Sequence, residues 1–225
     1  MVDISSEAKK KGTKQRFLYE VLAVLVITVG LAYISPQLKQ IAYVVPLVYV
    51  LVERKRRHRS WSEIGIQFKN FGKDFVANWY LFVIVAIIIQ FVAPFIAKLY
   101  WPDLLNHILG RLPSLNIGSL DSTIAIIIIV TFMEELIFRG LFQERLSWYV
   151  GQAPAILIAS IGFGLVHYSQ GPFSIVATDI ALVILDGIFY GLIYARCRSI
   201  FVSWTAHVVA DFVSLAILLS LFNLS

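Results

Sequence analysis

The chain alternates between long apolar stretches and short polar ones. Most of the apolar stretches are long enough to cross the hydrocarbon core of a bilayer as a helix, which takes about 20 residues. Because a chain in lipid must satisfy its backbone hydrogen bonds internally, the pattern predicts an all-α, polytopic transmembrane helical bundle of about 6–8 helices. The seven apolar stretches are Phe17–Ile34, Ile41–Val52, Phe75–Leu99, Thr123–Trp148, Ala153–His167, Ser174–Ala195 and Ile200–Leu221.

Composition supports a membrane protein and removes other classes. Of the 225 residues, 59% are hydrophobic and only 15% are charged, whereas a soluble domain carries about 25% charged residues. The spans leave no room for a soluble domain, so the lipid bilayer is the expected partner. The net charge of +5 does not indicate nucleic-acid binding, because the basic residues form short runs between apolar stretches rather than one patch. The single cysteine, Cys197, excludes a disulfide within the chain.

Basic residues indicate how the first spans are oriented. One cluster, Lys9 to Arg16, precedes the first apolar stretch, and a second, Arg54 to Arg59, follows the second stretch. Positively charged loops face the cytoplasm, so both clusters are expected there, with an even number of crossings between them. We therefore expect a cytoplasmic N-terminus and a multi-pass location in the cell membrane. The stretch Ile41–Val52 is then a short span or an arm of a re-entrant hairpin.

Two further segments have a structural interpretation. The linker Arg54–Asp74 contains Trp61 and Phe68 and is either an amphipathic stretch at the membrane interface or a loop with a few buried aromatic residues. Gly187 and Gly191 form a GxxxG pattern in an apolar helix, which predicts a surface for close helix packing.

Ionisable residues inside apolar stretches are costly and mark function or a partner by default. Three groups stand out, in the fourth, fifth and seventh stretches. The groups are Glu134, Glu135 and Arg139; Phe163 with His167; and His207 with Asp211.

Helix geometry separates the two adjacent glutamates. Glu135 lies four residues before Arg139, on the same helix face, which favours an acid-to-base pair. Glu134 points about 140° away from Arg139 and is left for another role. The alternative is that all three residues form one structural network between helices.

The histidines are open to two interpretations as well. His207 and Asp211 share a face, so the acid can fix the tautomer of the imidazole, or the pair makes only an interhelical hydrogen bond. His167 either joins a site or simply caps a helix end. Counting along each stretch puts Glu134, His167, His207 and Asp211 in one central band of the membrane. Such a cluster can perform general acid–base chemistry on a trapped water molecule.

Three short motifs resemble those of a known family. Glu134-Glu135-Leu136-Ile137-Phe138-Arg139-Gly140 is similar to EExxxR, Phe163 to His167 is similar to FxxxH, and His207 to Asp211 is similar to HxxxN/D. In this order they resemble the CAAX-protease and bacteriocin-processing (CPBP or ABI, Rce1-like) family of intramembrane glutamic-type proteases. The resemblance covers roughly Thr123 to Phe212.

The resemblance implies a helical bundle that encloses a catalytic cavity inside the membrane. Glu134 and His167 would activate water to attack a peptide carbonyl, while His207 and Asp211 would stabilise the oxyanion. The chain then divides into a basic cytoplasmic N-terminus (1–16), N-terminal membrane helices and loops (17–122) and a catalytic membrane core (123–222).

The remaining motif residues, Glu135, Arg139 and Phe163, would support this centre. Members that cleave prenylated proteins carry Asn where this chain has Asp211. An ionised aspartate cannot donate a hydrogen bond to an oxyanion, so Asp211 is either protonated or only orients His207.

Two alternatives remain open for the function. A zinc protease could use Glu134, His167 and His207 as ligands, although no HExxH motif supports it, and we expect no metal or other cofactor. A non-catalytic protein could use the cavity to bind a peptide, confer immunity or regulate a partner. The expected substrate is a membrane-associated peptide or protein of CAAX type or of bacteriocin or signal type.

Overall fold

A computed structural model describes residues 4–34, 36–111 and 120–222. Within these ranges every regular element is helical and there is no strand. The side chains of residues 4–14 are outside the description, and so is most of the predicted basic cluster of the N-terminus.

The helices follow one another with short connections. Residues Ile84–Ile89 and Leu136–Gln143 form π-helical segments that join α4 to α5 and α7 to α8 without a break, and residues Ser62–Ile64 form a 3₁₀ turn. The α-helices are α1 (Ile4–Ile34), α2 (Pro36–Arg56), α3 (Phe71–Ala77), α4 (Trp79–Val83), α5 (Gln90–Tyr100), α6 (Pro102–Arg111), α7 (Leu120–Glu135), α8 (Glu144–Val150), α9 (Gln152–Val166), α10 (Phe173–Cys197) and α11 (Ile200–Phe222).

Four helical stretches are long and apolar enough to cross a membrane, and α9 is a shorter apolar helix. The predicted polytopic helical bundle is therefore confirmed, and the chain is a membrane protein. The fourth apolar stretch lies within the continuous run from α7 to α8, where its charged residues distinguish it from the four spans. The four spans are Gln15–Ile34, Trp79–Tyr100, Phe173–Cys197 and Ile200–Leu221.

The first two helices form an antiparallel hairpin. In the middle of α1, Glu20 accepts hydrogen bonds from the Tyr49 hydroxyl (3.2 Å) and from Arg57 (3.3 Å) after the end of α2. The stretch Ile41–Val52 is thus the middle of one 21-residue helix, not a short arm. A helix of this length extends about 30 Å.

The linker after α2 is a loop with one 3₁₀ turn. Trp61 and Phe68 are exposed, but Ile64 is completely buried. The carbonyl oxygen of Ile64 would lie 2.8 Å from a Cβ at Gly140, so only glycine permits this approach. The linker therefore packs on the π-helical segment between α7 and α8 through an aliphatic residue, where the sequence suggested aromatic ones.

Close packing of α9 against α10 depends on the predicted glycine pattern. A Cβ at Gly187 would lie 3.1 Å from Ser160, and one at Gly191 would lie 3.0 Å from Ile156. The prediction of a close helix contact is confirmed, and it brings the backbone of α10 near the ionisable residues of α7.

Candidate active site

The site begins where α7 widens into the π-helix Leu136–Gln143. All eight residues of this segment are buried. Two of its side chains reach α10: Arg139 donates to the carbonyl oxygen of Gly187 (2.9 Å), and Gln143 donates to that of Gly191 (2.8 Å). The carbonyl groups of the two glycines therefore serve as acceptors for the π-helix. A π-helix is rare and often occurs at functional positions.

The carboxylate of Glu134 lies at the centre of three helices that are distant in sequence. Its Oε1 accepts a hydrogen bond of 2.9 Å from the Tyr43 hydroxyl of α2. Nε2 of His167, just after α9, lies 3.7 Å from Oε1, and Nε2 of His207 in α11 lies 3.7 Å from Oε2. The structure therefore brings Glu134, His167 and His207 together, as predicted. Each imidazole faces a different carboxylate oxygen, beyond hydrogen-bond distance.

The other nitrogen of His207 identifies its tautomer. Nδ1 lies 3.0 Å from Oε1 of Glu135, and a carboxylate can only accept, so Nδ1 carries a proton. Glu135 also pairs with Arg139 at 3.4 Å, which confirms the predicted acid-to-base pair. Glu135 is thus neutralised and orients His207, while Glu134 faces its Nε2.

His167 is oriented in the same way by the backbone. Its Nδ1 lies 2.8 Å from the carbonyl oxygen of Phe163, an acceptor, so Nδ1 is again protonated. The residue forms the C-terminal cap of α9, as the capping alternative required, and still presents Nε2 to Glu134. Both histidines therefore expose an Nε2 lone pair to one carboxylate when they are neutral.

Aromatic rings hold the two imidazoles in place. The ring of Phe163 meets His167 and His207 edge-on, with centroids 4.6 and 5.6 Å apart. Tyr190 stacks on His207 at 4.5 Å. Phe163 thus supports the site by direct contact with both histidines, and its backbone carbonyl orients His167.

Asp211 occupies a different position from the one its spacing suggests. Its Oδ1 lies 3.9 Å from Nε2 of His207, too far for a hydrogen bond, and on the nitrogen that faces Glu134. Glu135, not Asp211, therefore sets the tautomer of His207. The helical spacing is misleading because Nδ1 is already engaged from α7. The Asp211 side chain is 43% exposed, whereas that of His207 is 5% exposed.

This arrangement suits the activation of water. Glu134 is 4% exposed, and the 3.7 Å separations leave each imidazole able to share a third hydrogen-bonding group with the carboxylate. A buried carboxylate without a cationic partner at hydrogen-bond distance can take a proton from that group.

The donors predicted for zinc, Glu134, His167 and His207, are all present at this centre. Across the described ranges, no set of three or more His, Cys, Asp or Glu side chains is arranged as a metal site.

Sequence reasoning missed two residues of the site, Tyr43 and Tyr190. Tyr43 lies on α2 and Tyr190 on α10. Neither helix carries one of the three motifs. The only available signal was a phenol hydroxyl within an apolar stretch, and seven of the ten tyrosines in the chain carry it.

Residues 116–213 match the model of a protein family described as type II CAAX prenyl endopeptidase Rce1-like. The matched segment contains Glu134, Glu135, Arg139 and both histidines of the site, and it ends just beyond Asp211. Neither a curated protein nor a solved structure matches the chain. The comparison therefore shows that this segment is similar to the Rce1-like family.

Proposed function

We propose that this chain, with its Rce1-like segment 116–213, is an intramembrane endopeptidase in which Glu134 and His167 activate water. Its substrate is a membrane-associated peptide or protein. The observation that carries the proposal is the environment of Glu134. Its two oxygens face the Nε2 atoms of His167 and His207 at 3.7 Å, with no guanidinium or ammonium within 4 Å among the described residues. A purely structural buried carboxylate would be expected to have a cation.

In the proposed reaction, water binds between Glu134 and His167. The oxygen of water attacks the peptide carbonyl carbon while its proton passes to Glu134, which gives a tetrahedral intermediate with a negative oxygen. Collapse of the intermediate breaks the C–N bond, and the same proton passes to the leaving amine. One water molecule is consumed, and the products are an acid and an amine.

The developing oxyanion needs a donor, and His207 is positioned for that role. Nδ1 of His207 is bound to Glu135 at 3.0 Å. A proton on Nε2 would therefore be directed towards the site and away from Glu135. Asp211 lies beside the same nitrogen and donates only when protonated. Preorganised donors of this kind contribute about 3 kcal/mol to transition-state stabilisation.

We propose that the reaction requires no metal ion. The chemistry needs one base and one donor, and Glu134 with the two histidines supplies both. Zinc bound by the same three residues would be the alternative, and chelation distinguishes the two.

We further propose that the protein lies in the cell membrane with its N-terminus in the cytoplasm. The antiparallel hairpin supports this orientation, because Glu20 contacts Arg57 and so places the start of the apolar span Gln15–Ile34 beside the basic run 54–59. The substrate would be a CAAX-type tail or a peptide of bacteriocin or signal type.

The experiment compares membrane peptidomes of cells that express the wild type or Glu134→Gln. The amide keeps the shape of the side chain but cannot act as a base. Glu20→Gln serves as the control, because Glu20 pairs with Arg57 and not with a residue of the Glu134 centre, and is partly exposed. We expect one set of peptides to depend on Glu134 alone.

Two outcomes would refute the proposal. Identical peptidomes for the wild type and Glu134→Gln would exclude proteolysis by this centre. If the biological function also survived Glu134→Gln unchanged, a peptide-binding, immunity or regulatory role would explain the protein instead.

A further inference from the structure

The hairpin of α1 and α2 lies outside the segment that matches the family, yet it contributes a side chain to the candidate active site. Tyr43, on α2, donates its hydroxyl to Oε1 of Glu134 at 2.9 Å, across 91 residues of sequence. Among the described contacts of Glu134 it is the only one short enough to be a hydrogen bond.

We infer that Tyr43 is a positioning residue for Glu134 in the proposed reaction. The inference rests on the proposed function and adds a residue that lies outside the matched segment 116–213. A carboxylate has two equivalent oxygens and a broad terminal torsion. One directional donor on Oε1 removes that equivalence, because rotation of the carboxylate would break the bond.

The neighbours of the two Glu134 oxygens show what the hydrogen bond from Tyr43 adds. Nε2 of His167 faces Oε1 and Nε2 of His207 faces Oε2, each at 3.7 Å. Neither distance allows a direct hydrogen bond, so the histidines alone do not fix the plane of the carboxylate. Tyr43 does so, and it keeps the second oxygen turned towards His207.

The donor also satisfies the buried carboxylate while leaving its charge in place. A guanidinium in the same position would form an ion pair and compete with water for the carboxylate lone pairs. A phenol occupies one lone pair only, which leaves the remaining lone pairs for a proton from water. Tyr43 therefore holds Glu134 without neutralising it.

The test replaces Tyr43 by phenylalanine, which removes one oxygen and keeps the ring. Tyr49→Phe is a matched control: Tyr49 lies on the same helix, is also partly buried, and donates to a glutamate as well, Glu20, at 3.2 Å. We expect Tyr43→Phe to lower kcat by about 10-fold to 100-fold, the value of a hydrogen bond to a charged group. KM and the melting temperature should be unchanged, and Tyr49→Phe should retain the wild-type kcat.

A second measurement does not require activity. The infrared carboxyl band that disappears in Glu134→Gln belongs to Glu134, and its frequency depends on the hydrogen bond to Oε1. We expect Tyr43→Phe to shift this band and Tyr49→Phe to leave it in place.

The outcomes separate this inference from the proposed function. An unshifted band in Tyr43→Phe overturns the inference whether or not the protein cleaves a peptide. An unchanged kcat in Tyr43→Phe, when Glu134→Gln is inactive, also overturns it but leaves the protease proposal intact. A shifted band in a protein that cleaves nothing supports the contact and refutes only the protease proposal.

Discussion

Two of the buried carboxylates, those of Glu53 and Glu134, differ in their surroundings. We call Glu53 with Arg57, Arg59 and Arg145 the Glu53 cluster, at the basic end of the α1–α2 hairpin. Its carboxylate contacts Arg59 at 2.6 Å through Oε1 and Arg145 at 3.2 Å through Oε2. Both oxygens are thus bound to guanidinium groups, so this carboxylate is neutralised and held.

The Glu134 cluster consists of Glu134, Tyr43, His167 and His207. Glu134 and Glu53 are equally buried, each 4% exposed, but Glu134 has a phenol and two imidazoles where Glu53 has arginines. Burial alone therefore does not distinguish a catalytic carboxylate from a structural one. The identity and distance of the partners do, because a base must keep a lone pair available.

The largest expected effect is a loss of activity when the Glu134 cluster is changed. Replacing His167 by Gln substitutes a non-basic amide for the imidazole that faces Glu134 and should lower kcat by about 100-fold or more. Stability should change little, because the side chain is 19% exposed. Cleavage of a membrane-embedded reporter peptide measures kcat.

His58→Asn is the control for this variant. His58 is exposed and has φ 51°, a backbone conformation that Asn tolerates. Equal rates for His167→Gln and the wild type would remove His167 from the mechanism.

The second effect is a loss of stability when the Glu53 cluster is changed. Glu53→Gln leaves Arg145, which is fully buried, without a charged partner. Breaking a buried ion pair costs about 3 kcal/mol, so the free energy of unfolding in mixed micelles should fall by that amount. Activity per folded molecule should persist.

Glu20→Gln is the matched comparison, because Glu20 pairs with Arg16 and Arg57 while partly exposed. It should cost less than about 1 kcal/mol. If Glu53→Gln destabilised no more than Glu20→Gln, the Glu53 cluster would not be the structural counterpart of Glu134.

The third effect concerns the edge of the Glu134 cluster. In Asp211→Asn, an amide that can always donate replaces an acid that donates only when protonated. Because Asp211 lies 3.9 Å from Nε2 of His207, we expect kcat to rise, by about tenfold or less. A steep loss of kcat would show instead that the acid form of Asp211 is required.

Removal of metal ions is expected to have no effect on kcat. Prolonged dialysis against a strong chelator should leave kcat unchanged, since the Glu134 cluster needs no metal in the proposed reaction. Loss of activity that zinc alone restores would mean that Glu134, His167 and His207 are ligands.

Local features of the site followed from the sequence, and contacts across long separations did not. The pair Glu135–Arg139 was predicted because both residues lie on one helix face, and it forms at 3.4 Å. The meeting of Glu134, His167 and His207 was predicted from depth and from the resemblance, because three motifs in fixed order constrain three helices at once. The roles of these residues remain predictions.

Other features could not be predicted because they depend on how helices rotate against one another. Periodicity assigns Asp211 to the face of His207, but it cannot show that Glu135 of another helix reaches Nδ1 first. Tyr43 looks like any apolar residue until α2 is placed beside α7. In the same way, Ile64 gave no sign that the linker would pack on Gly140.

The measurement that tests the account most directly determines kcat and melting temperature together for purified Glu134→Gln and Glu53→Gln. We predict that Glu134→Gln loses about 10³-fold in kcat or more while it melts with the wild type, and that Glu53→Gln melts earlier while its folded fraction still cleaves. A Glu134→Gln protein that cleaves at the wild-type rate would contradict the account.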